Sequence, residues 1–308
     1  ALGETVTEKS GNLNLGVPGI MYLGGFAGFA SAWAYENTAA NPSGAVSVVI
    51  ALTCAILASM AGGLIYAFLT ISLRANQNVT GLALTTFGMG VANFFGVFIL
   101  NGASYSAAPI ANKAFSAKIP VLSTLGGFGQ VVFSYGFLVY AAIALAIALH
   151  WFLTRTRAGL NLRAVGENPA TADAAGINVT LYKYLATCIG AGICGIGGLY
   201  YVLDYNQGIW ATTGQIEALG WLAVALVIFT TWKPLNAIWG AYLFGMLYWL
   251  YQFLPTLLGI TMASHITDLV QMLPYVVTIV VLIVVSMRKK KENQPPAHLG
   301  LAYFREER

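Results

Sequence analysis

The feature that most constrains this chain is a succession of apolar runs, most of them close to the roughly 20 helical residues needed to cross a hydrocarbon core of about 30 Å. They lie near 17–35, 46–72, 79–100, 131–153, 184–203, 217–232, 235–254 and 269–287. The runs are continuous rather than alternating, so helices and not barrel strands satisfy the backbone in lipid. The reading is all-α: a polytopic membrane helix bundle with about eight transmembrane helices. Composition agrees, with 58% hydrophobic and 8% charged residues and a mean hydropathy of +0.72. The 34 glycines follow no triplet period, which excludes collagen, and small residues let membrane helices pack closely. The sixth run nearly touches the seventh, predicting a tight helical hairpin at Trp232, Lys233 and Pro234.

Placement of the charges gives a topology rather than a nucleic-acid surface. With the loop 154–183 and the tail after Met287 on one side, thirteen of the 15 basic residues fall there and only Lys113 and Lys118 opposite. The positive-inside rule makes the first side cytoplasmic and puts both visible termini there. Ala1 is not an initiator Met, so a preceding segment is compatible with the sequence, and no cleavable signal peptide is visible. The expected organisation is a transmembrane domain at 1–287, holding the polar loop 154–183, followed by a basic cytoplasmic tail at 288–308. The 30 residues from Asn101 to Gln130 form the longest external connection, where short helices or a gate are expected.

Several function classes are disfavoured. Cys54, Cys188 and Cys194 are odd in number and lack CxxC spacing, so neither disulfides nor a zinc site is indicated, and no metal ligands or catalytic residues are assigned. Gly190 to Gly195 (GAGICG) matches GxGxxG, but no strand precedes it, and helix packing explains it better, as it does Gly24 and Gly28. No GxxxxGK[ST] loop occurs, so any ATP is hydrolysed elsewhere. HExxH and GxSxG are also missing. The map places Glu36, Asp204, Glu217 and Asp268 near external ends and the other seven carboxylates in cytoplasmic segments. On that map no proton relay crosses the membrane.

Within the apolar chain, Arg163 to Val179 (RAVGENPATADAAGINV) stands out as polar. Asn168 suits an N-cap, Pro169 the first helical position, and Gly176 a left-handed stop. This predicts a helix of about seven residues, roughly 10 Å long, too short to be stable alone. It is either a connector packed on its own domain or a surface that docks onto a partner.

The stretch GLNLRAVGENPATADAAGINV, Gly159 to Val179, resembles the cytoplasmic loop of ABC importer permeases of the branched-chain amino acid, ribose and nucleoside family, closest to the simple-sugar or nucleoside branch. SGNLNLGVPGIMYLGG, Ser10 to Gly25, is similar to that family's GxxNLGxEG motif, and GWLAVALVIFTTWKPLNAIWGAYLFG, Gly220 to Gly245, to its GxxxxAxxxxGxWxPxxAxxGAxLFG stretch. Pro18 departs from the usual Glu, and Thr230 or Thr231 from the Gly often found before the Trp. The resemblance implies a multi-pass permease of the bacterial cytoplasmic membrane that is not itself an enzyme. It implies four partners besides no nucleic acid: a separate ABC ATPase binding ATP and Mg, a second homologous permease, an extracytoplasmic substrate-binding lipoprotein and the lipid bilayer. It makes Asn168 to Gly176 a coupling helix, with Gly166 providing the tight turn before it. Arg163, Glu167, Asn168, Pro169, Asp173 and Gly176 complete the ATPase-coupling set.

A neutral, hydrogen-bonding solute suits spans that offer amides and aromatics. The candidate translocation pathway comprises Asn93, Phe94 and Phe95 in the third span, Asn101 at its mouth and Gln252 in the seventh, with Asn12 and Asn14 added through the motif. Nucleosides or related simple sugars are the expected cargo. The alternative is a secondary transporter or facilitator for a small neutral solute.

Overall fold

A computed structural model describes residues 1–99, 106–118, 134–210, 214–258 and 294–304, and positions 272, 276, 277, 279, 280, 283 and 287. The chain folds as an all-α membrane helix bundle. Its helices are α1 (Leu2–Lys9), α2 (Val17–Thr38), α3 (Gly44–Ala67), α4 (Gln77–Ile99), α5 (Pro109–Phe115), α6 (Phe137–Arg155), α7 (Arg157–Glu167), α8 (Pro169–Ala174), α9 (Val179–Tyr200), α10 (Gln215–Phe229) and α11 (Pro234–Leu258). Single π turns extend α3 over Phe68–Ser72 and α9 over Tyr201–Tyr205. Residues Ser106–Ala107 pair antiparallel with Ile209–Trp210.

Among the described residues, four helices are long and apolar enough to cross a membrane: α3 and α9 with their π turns, α4 and α6. α2 and α11 have 22 and 25 residues, and α10 is a shorter apolar helix. Seven of the eight expected runs therefore appear as helices; the run at 269–287 lies mostly outside the described residues. In α9, 61% of the apolar window is buried within the bundle, against 22–28% in the other three candidates, so α9 is central and the others mainly face outward.

Small residues set the packing. A Cβ on Gly24 of α2 would sit 2.5 Å from the Gly195 Cα of α9, and one on Gly88 of α4 would sit 2.6 Å from the Gly19 Cα of α2. Backbones meet there, as lipid-embedded helices without a hydrophobic driving force require. The GAGICG segment thus packs helices, as its sequence context implies. Pro18 lies in the first turn of α2, where a missing N–H costs no helical bond, and Gly220 of α10 packs against its ring. The α10–α11 hairpin forms where expected. Thr231 and Trp232 both take left-handed backbone angles, φ 53° and 54°, before Pro234 opens α11.

One expectation is corrected, the placing of Glu4 and Glu8 in an open cytoplasmic segment. The helix that carries them, α1, packs along α9. A Cβ on Gly3 would lie 2.8 Å from the Cys194 Sγ and against the Gly190 carbonyl, eleven residues, or about 17 Å, along α9. From there α1 descends until Lys9 meets α7. Glu4 and Glu8 are consequently not in an aqueous segment: they are 0% and 1% exposed inside the bundle. Packing of α1 against α9, rather than its polar composition, decides its depth.

Of the long external connection, the described part contains the short helix α5. Glu36 caps it by accepting from Ile110 N at 3.1 Å and Ala111 N at 2.7 Å. Asn112 Nδ2 donates to Leu203 O at 2.8 Å, and Ser116 Oγ to Asp204 at 2.8 Å, tying α5 to the π turn after α9.

Candidate functional site

The polar stretch folds into two helices where one was expected. Thr156 ends α6 and caps α7, its hydroxyl accepting from Gly159 N at 3.0 Å. Gly159, Leu162, Val165 and Gly166 make the buried stripe of α7. Leu162 packs with Val6, Leu153 and Ala186, and Val165 with Ala172 and Val179. Each such side chain contributes roughly 1.5–3 kcal/mol when fully buried. The short i, i+3 spacing of Leu162 and Val165 behind a Thr cap was the signal for this helix.

α8 follows at once and matches the capping pattern. Asn168 Oδ1 accepts from Thr171 N at 3.0 Å, and Pro169 occupies the first turn with its ring buried. At the other end Gly176 has φ +83°. Gly176 N donates to Asp173 O at 2.9 Å and Ile177 N to Ala172 O at 3.0 Å. These two bonds are the Schellman arrangement, completed by Ile177 packing near Ala172. Ala172 and Pro169 face inward, while Asn168, Ala170, Thr171, Ala174, Ala175 and Gly176 are exposed. The result is a capped peg, anchored on one side and open on the other.

Gly166 does not form a turn. It lies inside α7, where a Cβ would come against the Lys9 carbonyl oxygen, 3.0 Å from the Lys9 carbonyl carbon and 3.2 Å from Gly11 N. Its role is the close crossing of α7 over the end of α1.

A strap from the C-terminal tail closes this crossing. His298 N donates to Gly166 O at 3.0 Å, and Ala297 N to Glu167 Oε2 at 3.3 Å. Gly300 N reaches Gly11 O at 3.2 Å, and Gln77 Nε2 reaches Leu301 O at 3.3 Å. Tyr303 donates its hydroxyl to Asp173 at 3.1 Å, and the Arg74 guanidinium lies 4.5 Å from the Phe304 ring centroid. Three expected coupling residues, Gly166, Glu167 and Asp173, are thus held by one segment. Arg163 instead ties α7 to α6, donating to Leu153 O at 3.3 Å. The basic residues of the tail at 288–291, 305 and 308 lie outside the described residues. Burial, then the nearby Lys183 ammonium, holds His298 below its ordinary imidazole value.

The expected pathway residues separate. Asn12 and Asn14 are buried ties of the α1–α2 connection: Asn12 Nδ2 donates to Thr187 Oγ1 at 3.3 Å, and Asn14 Oδ1 accepts from Gly16 N at 2.9 Å. Phe94 and Phe95 are 65% and 42% exposed on α4, edge to face at 5.3 Å. Asn93 is half-buried, and its Oδ1 has no partner among the described residues. One turn on, at Gly96, α4 meets Trp210, whose buried Nε1 is likewise unpartnered and whose ring lies among Tyr22, Phe26 and Phe29. An unspent acceptor and donor beside aromatic rings suit a neutral polar solute; Trp210 lies outside the long apolar runs and was missed. Asn101 lies outside the described residues, as does the side chain of Gln252 in α11. Sequence reading also missed the buried pair on α1. Trp232 Nε1 donates to Glu8 Oε2 and Asn14 N to Glu4 Oε1 at 3.1 Å, while Glu4 Oε2 has no partner among the described residues.

Comparison with known proteins adds a family. A family model described as "Branched-chain amino acid transport system / permease component" matches residues 1–284. A Haloferax volcanii protein provisionally named a glucose ABC transporter permease is 36% identical over 251 residues, 80% of this chain and 70% of that protein. The guanosine ABC transporter permease of Bacillus subtilis is 33% identical over 80% of this chain and 75% of its own. A nucleoside ABC transporter permease of Lactococcus lactis is 30% identical over 92% and 86%. No solved structure matches.

Proposed function

Because this chain belongs to the permease family of the branched-chain amino acid transport system, we propose that it carries nucleosides or related simple sugars across the membrane as one half of an ATP-driven importer. The carrying observation is the peg: α8 is capped at both ends and seated between α7 and α9, with its outer face unoccupied among the described residues. A short rigid helix passes on a rigid-body movement that a flexible loop would absorb. In this reading an ABC ATPase, which binds ATP and Mg, receives α8 in a cleft. Closing of the ATPase moves α8, and α7, α1 and α9 carry the displacement into the bundle. A second homologous permease completes the pathway, and an extracytoplasmic lipoprotein delivers the solute. The peg and strap face the cytoplasm. The names of the relatives support the cargo class, as do Asn93, Trp210 and the neighbouring rings.

The test is Ala170→Arg on the exposed face of α8. In proteoliposomes containing the full complex, uptake of labelled guanosine and glucose and solute-stimulated ATPase activity are expected to fall at least about tenfold, the equivalent of 1.4 kcal/mol of lost docking. The unfolding temperature of the isolated chain is expected not to move. Undiminished, ATP-dependent uptake by this variant sinks the assignment of α8 as the coupling element.

A further inference from the structure

Between the π turn of α3, the start of α4, the end of α8, the first turns of α9 and the strap lies a cavity of about 600 Å³. That is within the range of small-molecule sites. Most of its polar lining is already engaged. Gln77 accepts from Leu13 N at 2.7 Å and donates to Leu301 O; Thr70 donates to Tyr66 O at 2.8 Å; Asp173 accepts from Tyr303; and Asn178 caps Leu181 N at 3.0 Å.

What is left is positive. Lys183, one turn into α9, is 3% exposed and lines the cavity, and its ammonium has no hydrogen bond or ion pair among the described residues. A buried charge without a partner is costly, and proteins retain one where something completes it. Val179 and Thr180, the first two residues of the same 22-residue helix, also line the space, and the backbone N–H of neither is bonded among the described residues. They are unspent donors at the positive end of a helix dipole. Arg74 stands across the cavity. Donors and charge thus border one space, as an oxyanion requires, and its volume exceeds that of a bare phosphate.

We propose that this cavity binds the phosphate group of a larger molecule, through the Lys183 ammonium and the first turn of α9, with Arg74 as the outer cation. The same chemistry is offered by a water-soluble phosphomonoester and by a phospholipid headgroup. Leu301, Ala302 and Tyr303 form one wall and Asp173, Gly176 and Ile177 another, so an occupant would join the strap to the end of α8. The proposal rests on the cavity and is independent of the solute transported.

The experiment is calorimetric titration of the purified full chain with ribose 5-phosphate, with ribose as the neutral control. In parallel, native mass spectrometry follows lipid carried over from vesicles of phosphatidylcholine with and without phosphatidylglycerol. Saturable binding of ribose 5-phosphate, absent for ribose and weakened at least tenfold by Lys183→Met and measurably by the exposed Arg74→Gln, supports the site with a soluble ligand. Retention of phosphatidylglycerol that both substitutions reduce supports it with a lipid ligand. Lys183→Met is also expected to unfold no earlier than wild type without added anion, since it removes an unpaired charge. Binding of neither, or binding that both variants leave unchanged, overturns the proposal. Arg74→Gln decides the matter if Lys183→Met does not fold.

Discussion

Substitution at Gly166 separates two physical reasons for a glycine. If Gly166 shaped a tight turn, its value would be backbone freedom, and Asn, which tolerates left-handed angles, would replace it better than Ala. In the structure it is an ordinary helical residue that lets α7 cross the end of α1. An alanine Cβ would press on the Lys9 carbonyl and Gly11 N, atoms of a neighbouring backbone that cannot swing aside. Overpacking of this kind costs about 1–3 kcal/mol. Displacement also weakens the His298 N to Gly166 O bond, worth about 1 kcal/mol. Against this, Ala gains about 1 kcal/mol over Gly in a helix interior. The net destabilisation is about 2 kcal/mol for Gly166→Ala, a fall of roughly 4–8 °C in unfolding temperature. Gly166→Asn is expected to fall further. The assay is thermal unfolding of the purified chain in detergent, followed by tryptophan fluorescence. Gly166→Ala unfolding within about 1 °C of wild type, or Asn proving milder than Ala, would refute the crossing argument.

Three further outcomes follow from single contacts. Trp232→Phe keeps the ring but removes the donor to Glu8, and is expected to cost about 1.5–3 kcal/mol, read as a lower unfolding temperature; an unchanged value excludes that bond as an anchor of the α10–α11 hairpin. Thr231→Gly relieves a left-handed, β-branched residue and is expected to stabilise by up to about 1 kcal/mol in the same assay, a loss of stability counting against the backbone assignment. His298 has a folded value below about 6.5, so the neutral form belongs to the docked strap; its contribution is complete above pH 6.5 and is lost as pH falls toward the lowered value. Amide exchange at 294–304 is therefore expected to quicken between pH 7.5 and 5.5 after correction for intrinsic rates, and a His298→Gln variant to lose that dependence.

Features built from neighbouring residues were legible in advance. Asn168, Pro169 and Gly176 specify α8 because caps act within one turn, and Trp232-Lys233-Pro234 marks the hairpin because Pro cannot continue the preceding helix. The long apolar runs became helices because lipid leaves the backbone no other partner. What escaped notice depends on distant contacts. The strap joins residues about 130 positions apart, Tyr303 to Asp173 and Ala297 to Glu167, and no local pattern encodes such a pairing. Gly166 was expected to form a tight turn, whereas the contact that excludes a side chain there comes from Lys9, distant in sequence. Among the pathway candidates, residue type alone could not separate Asn93, with an unspent acceptor, from Asn12 and Asn14, whose amides hold a connection together.

The buried carboxyl pair bears on the alternative of a secondary transporter. Part of the case against that alternative was that no carboxylate lies within the membrane, and Glu4 and Glu8 remove this premise. Their geometry supplies a different ground. Glu4 accepts the backbone N–H of Asn14 where α1 leads into α2, and Glu8 accepts the Trp232 indole where α10 turns into α11. Each carboxyl thereby fastens a chain connection at the same end of the bundle as the Gly166 crossing. Neither residue lines the 600 Å³ cavity, which opens beside Lys183 and the strap. A proton-coupling carboxylate must change partners as the pathway changes sides, whereas these two hold together the elements through which a movement of α8 would reach α2 and α9. The pair is thus better suited to stiffening the lever of a motor-driven permease than to carrying its coupling ion.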